Sequence, residues 1–148
     1  MTQGSESANA RLARKYFDLC DGRIQGDVGD LFTSDVEIFL PKYGVERGPG
    51  IFANLLSSLP DLYQRIEHHV DEFKVLEFGD TIVVEGTTEG TTATGLTWDG
   101  RVTLGGRFCS VFEIHEGLIS RMYIYLDPDY CSQDTTRYPY FVEDKAHR

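Results

Sequence analysis

Residues 106–130 read GRFCSVFEIHEGLISRMYIYLDPDY. Phe108, Ser110, Phe112 and Ile114 alternate with Arg107, Cys109 and Glu113, the period-2 pattern of a strand with one apolar face. His115-Glu116-Gly117 supplies a tight turn, and Leu118 to Leu126 returns as a second strand before Pro128. Working backwards, Trp98-Asp99-Gly100 predicts a turn, and Val102 to Ile114 the strand after it. Gly105-Gly106 marks a bend. Thr81 to Thr92, rich in Val and Thr, is a further strand, and Ile66 to Phe78 is read as the first long one.

The N-terminal third differs. Leu12, Tyr16, Leu19, Cys20 and Ile24 recur at steps of three and four, which predicts an amphipathic helix stopping at Gly26-Asp27. A short helix through Leu31-Phe32 follows, and Ser34-Asp35 turns the chain into a strand, Val36 to Leu40. Gly48-Pro49-Gly50 opens a helix with Ile51, Phe52, Leu55, Leu56 and Leu59 on its apolar face, and Pro60 ends it. The order α-α-β-α-β-β-β-β predicts an α+β fold: a curved antiparallel sheet wrapped around the helices. Residues 1–7 form a polar leader, 8–130 one domain, and 131–148 a tail that docks in part through Tyr138, Tyr140 and Phe141.

Composition narrows the function classes. Among 148 residues, fourteen Lys and Arg face twenty-four Asp and Glu, a formal charge of −10. Such a chain is repelled by phosphate backbones and anionic leaflets, so nucleic acid and membranes are excluded as partners. No apolar run approaches the roughly 18 residues that span a bilayer. Without a signal-peptide pattern, and with three scattered cysteines (Cys20, Cys109 and Cys131) lacking ligand spacing, the expectation is a cytoplasmic protein with no metal. Gly44, Gly48 and Gly50 match no nucleotide loop, so no cofactor is expected.

These segments, with LFTSDVEIFLP at 31–41 and GVERGPGIFANLL at 44–56, resemble the nuclear transport factor 2-like superfamily, nearest to its SnoaL-like branch. The resemblance implies a cone-shaped, cystatin-like α+β fold with a pocket between sheet and helices, and a homodimer through the outer sheet face. It also implies site positions. Tyr16 stands where steroid isomerases place an oxyanion-hole tyrosine, but Leu40 and Ser110 stand where the proton-shuttling base and second donor belong. Gly86, Thr88 and Ile124 replace the epoxide hydrolase triad, and Ile124 also replaces the polyketide cyclase acid. His68 falls near a scytalone dehydratase histidine.

His68 and His69 point to opposite faces of a strand, and Ile66 and Val70 place His68 inward. The predicted catalytic residues are His68, as acid or base, and Tyr16, as a donor to a carbonyl or hydroxyl. Ser110, Leu40, Phe108, Phe112, Thr88 and Ile124 are the predicted substrate-binding wall. The expected activity is cofactor-free isomerisation, cyclisation or dehydration of a neutral, apolar cyclic molecule. The alternative is a non-catalytic ligand-binding or dimerisation domain. Glu85, Thr87, Glu89, Arg107, Arg121, Tyr123 and Tyr125 on the opposite sheet face are read as the dimer interface.

Overall fold

The computed structural model describes residues 5–138. Tyr140, Phe141 and most of the leader lie outside the described residues. Helix α1 (Ala8–Cys20) is capped by Ser7, whose hydroxyl accepts from Ala10 N at 3.0 Å. Its buried side chains, Ala10, Ala13, Tyr16 and Phe17, make one stripe. A 3₁₀ turn (Val28–Leu31), capped by Asp27, leads into β1 (Phe32–Leu40), which pairs with the short β2 (Gly44–Arg47). Helix α2 (Gly50–Leu62) precedes β3 (Tyr63–His68), β4 (Lys74–Phe78), β5 (Thr81–Thr92), β6 (Thr97–Asp99), β7 (Arg107–His115) and β8 (Leu118–Leu126).

The strands form one curved sheet in the order β2-β1-β8-β7-β5-β3, with β4 and β6 also paired to β5. Curvature originates in β5. Residues Thr81–Thr87 pair with β7 and Thr81–Glu85 with β4, whereas the C-terminal half pairs with β3 and β6. One long strand thus changes partners on both edges and must bend between them. Gly90 permits the tight end: a Cβ there would sit 2.2 Å from the Arg65 carbonyl oxygen and 2.5 Å from the Trp98 ring. The concave face holds Val36, Ile38, Ile82, Val84, Phe112, Ile119 and Met122, packed against both helices.

Several boundaries differ from the sequence reading. The first helix stops at Cys20, not at Gly26, because Gly22 adopts φ +72° and reverses the chain. Helix α2 runs through Pro60 to Leu62; one turn from its end, the missing N–H forfeits a single bond. The strand expected over 66–78 is broken by a 3₁₀ turn, Val70–Glu72. The strand expected from Val102 begins at Arg107, and Thr97–Asp99 is itself a short strand. Ser34-Asp35 is no turn but an irregularity within β1, where the register with β8 shifts between Phe32 and Glu37. The ladder between β1 and β8 is parallel, so the sheet is mixed, not purely antiparallel.

Candidate active site

Between the sheet and the helices lies a cavity of about 490 Å³. Its walls are chiefly aliphatic and aromatic: α2 supplies Ile51, Phe52 and Leu55, β8 supplies Ile124 and Leu126, and Tyr130 lines it from beyond β8. Tyr16, His68, Ser110, Leu40, Phe108, Thr88 and Ile124 all line it. Phe112 does not. It is fully buried against Tyr16 and Phe17, with ring centroids 5.4 and 6.0 Å apart, so it forms floor packing and not substrate wall. Thr88 reaches the cavity, but its hydroxyl donates to the Gly106 carbonyl at 3.2 Å and accepts from Trp98 Nε1 at 3.0 Å. That hydroxyl is committed to structure.

The polar equipment is small. His68 Nδ1 lies 2.7 Å from Asp21 Oδ1, and the His68 backbone N–H donates to Asp21 Oδ2 at 2.8 Å. The imidazole edges against Phe17 at 4.9 Å and Phe108 at 5.2 Å, which fixes the ring plane. An acceptor-only carboxylate at Nδ1 places the proton there and leaves Nε2 as the basic nitrogen. Among the described residues Nε2 has no hydrogen-bond partner.

Asp21 was not foreseen as functional. It caps α1, and its side chain is only 3% exposed. Burial raises its pKa, but the two His68 hydrogen bonds and the Arg23 charge outweigh that and hold the carboxyl below the ordinary carboxylate range. The signal was present as Asp21-Gly22, a helix end with glycine in the left-handed position.

Tyr16 is buried, with the Cys20 thiol beside it one helical turn on. Burial first, then the neighbouring thiol, raises the phenol well above its ordinary value; burial pushes the Cys20 thiol up to about 12. Both stay protonated, Tyr16 as a donor and Cys20 as an unreactive thiol. Ser110 is 1% exposed, and its hydroxyl has no partner among the described residues. It offers an unspent donor and acceptor to a ligand.

His69 lies across the sheet from this cavity. Its Nδ1 meets Thr87 Oγ1 at 2.7 Å and its Nε2 meets Glu89 Oε2 at 2.8 Å, with Asp99 3.8 Å away. These ligand atoms lie within 4.8 Å of one another, as a metal site would need. Arg65 and Arg101 already pair with the carboxylates, at 2.8 Å to Glu89 and 2.7 Å to Asp99. Guanidinium charge stands where a cation would bind. Thr87 and Glu89, both expected at a dimer interface, take part in this cluster.

Residues 13–122 match the family of the SnoaL-like domain. The chain belongs to that family. Solved structures of the nuclear transport factor 2-like type share its fold. A protein of unknown function from Burkholderia pseudomallei is 19% identical, with a TM-score of 0.69, covering 82% of this chain and 92% of that one. A proposed polyketide cyclase from Pseudomonas putida is also 19% identical with a TM-score of 0.69, covering 85% and 96%. TerC, co-crystallised with polyporic acid, is 22% identical with a TM-score of 0.67, covering 82% and 92%. Curated proteins give no match. This SnoaL-like chain therefore shares the cone with its relatives, while Leu40 and Ile124 stand where its sequence resemblances place catalytic carboxylates. No helix among the described residues is long and apolar enough to cross a membrane.

Proposed function

We propose that this SnoaL-like protein is a cofactor-independent enzyme. It would isomerise, cyclise or dehydrate a neutral, apolar cyclic molecule by acid–base catalysis. The hydrogen bond between Asp21 and His68 at the wall of an apolar cavity carries this reading. His68 Nε2 takes a proton from a carbon next to a carbonyl, Asp21 stabilises the imidazolium, and the same nitrogen returns the proton at the product position. Tyr16 and Ser110 donate to the oxygen that gains electron density. The carboxylate missing from β1 and β8 thus enters through His68, from the end of α1. TerC's crystallisation with polyporic acid supports a small organic ligand in this cone.

A second copy of the chain is the proposed partner, through the outer sheet face. Phe39, Tyr123 and Tyr125 cluster there with centroids 5.5–6.4 Å apart, and Tyr125 is half exposed. Three unpaired cysteines fit a cytoplasmic setting. The second reading is a non-catalytic binding module, favoured by Leu40 and Ile124 standing where the resemblances place catalytic carboxylates.

The test starts with ligands found by thermal shift from cyclic ketones, hydroxyquinones and polyporic acid. Each binder is incubated in D₂O, and carbon-bound deuterium and product are followed by NMR. The wild type should exchange or convert at least one binder, and His68→Ala should lose about a hundredfold or more in rate. Binding without exchange, or equal rates in His68→Ala, would leave the binding-module reading in its place.

A further inference from the structure

We propose that Arg23 is a positioning residue that locks the Asp21–His68 pair into a single geometry. This rests on the acid–base reading of His68. The end of α1 brings the parts together. With Gly22 left-handed, Arg23 N donates to the Asp18 carbonyl at 2.9 Å and Gly22 N to the Leu19 carbonyl at 3.2 Å. Those two bonds complete a Schellman ending, which turns the residue after the glycine back across the helix terminus.

The Arg23 guanidinium then divides its donors between both members of the pair. Nη1 lies 2.6 Å from Asp21 Oδ2, and Nη2 donates to the His68 backbone carbonyl at 2.6 Å. Asp21 Oδ2 also accepts the His68 backbone N–H, so that oxygen is fully engaged and Oδ1 is left for the imidazole. Arg23, Asp21 and the His68 peptide make a closed ring of charge-assisted bonds. Rotation of the carboxylate would break two of them at once.

A planar fork is needed for this. Two nitrogens at fixed separation serve two acceptors on different chain segments, whereas an ammonium is a single point. Glu67 at 3.4 Å and Asp18 at 3.7 Å flank the outer side of the guanidinium. Neither touches the imidazole. The role of Arg23 is therefore indirect: it holds the Asp21 carboxylate against Nδ1, and so keeps the proton on that ring nitrogen.

The experiment uses the whole chain, ¹⁵N-labelled and without ligand. Long-range ¹H–¹⁵N NMR at pH 8 reports the His68 tautomer. The wild type should favour Nδ1–H over Nε2–H by about tenfold or more. Asp21→Asn should abolish that preference. Arg23→Met should reduce it about fivefold or more, and Arg23→Lys should restore less than half of the loss.

An unchanged tautomer ratio in Arg23→Met, with the preference lost in Asp21→Asn, overturns the role of Arg23 and leaves the pair intact. An unchanged ratio in Asp21→Asn overturns the pair itself. Urea unfolding of each variant separates stability from tautomer. If Arg23→Met does not fold, the wild type still decides. Its Arg23 Nη signals should be individually resolved through slowed rotation, unlike those of the exposed Arg47. Averaged Arg23 signals overturn the proposal.

Discussion

Replacing Asp21 by Asn exchanges one oxygen for an amide nitrogen and tests both the stability and the chemistry of the site. The carboxylate is 3% exposed and receives the His68 ring at 2.7 Å, the His68 N–H at 2.8 Å and Arg23 at 2.6 Å. Removing one partner of a buried ionic pair typically costs about 3–5 kcal/mol. Two features of the structure reduce that figure. The Asn carbonyl can still accept the His68 N–H, and Arg23 retains Glu67 and Asp18 within 3.7 Å. An expected loss of about 2–3 kcal/mol at pH 7 corresponds to a fall of roughly 6–9 °C in Tm for a chain of this size.

The pH dependence supplies a sharper signature. The folded-state pKa of Asp21 is depressed below its ordinary value of 3.8. Its contribution is therefore complete above the unfolded-state value, and is lost as pH falls from there through the depressed folded-state value. Urea unfolding of wild type and Asp21→Asn should show the full gap at pH 7 and a gap that narrows below about pH 4. A gap of the same size at pH 7 and pH 2.5 would mean that the cost arises from packing and not from the charge. A cost under about 0.5 kcal/mol at pH 7 would remove the ionic network as a stabilising element.

Ser110→Ala should be neutral or stabilising by up to about 1 kcal/mol, because the hydroxyl it removes has no partner; a loss beyond about 1.5 kcal/mol in urea unfolding would contradict this. Thr88→Val at the same depth should cost about 1–3 kcal/mol, since it strands the Trp98 N–H while the Gly106 carbonyl keeps the Thr88 backbone N–H at 2.8 Å, and Trp98 fluorescence should shift with it. Gly90→Ala should cost about 3 kcal/mol or more, measured by chemical denaturation or by loss of soluble protein, because its Cβ meets the Arg65 backbone at 2.2 Å. Tyr125→Lys should convert a dimer into a monomer by light scattering; a wild type that is already monomeric at high concentration would remove the outer sheet face as an interface.

The strands that decide the fold were legible because alternation is local: Phe108, Ser110, Phe112 and Ile114 share a face in the structure as in the sequence. Depth along that face was not. Phe108 and Ser110 meet the cavity while Phe112 lies beneath α1, and only the position of the helix separates them. The parallel pairing of β1 with β8 likewise joins segments some eighty residues apart, beyond any local pattern. His68 faces inward although the strand breaks directly after it, since two successive residues in extended chain point oppositely whatever follows. Asp21 was missed for a definite reason. Ile24 continues the apolar spacing of α1 and draws the helix past Gly22, which turns Asp21 into a solvent-facing residue of a longer helix. In the structure Ile24 is 40% exposed, and the glycine, not the apolar period, sets the end.

The placement of that carboxylate bears on which substrates the cavity can accept. Asp21 does not line the cavity; His68 stands in front of it. Arg23 pairs with it from behind, so the wall presents an imidazole and not a carboxylate to a ligand. An anionic group near His68 would meet apolar side chains and feel Asp21 through the ring, and the cavity's fixed cation, Lys42, sits in the turn after β1. A neutral molecule encounters neither penalty. When His68 takes a proton from it, the new imidazolium forms 2.7 Å from a carboxylate already in place. The charge that develops during proton transfer is thus the charge the site is arranged to stabilise, and the resting cavity remains apolar.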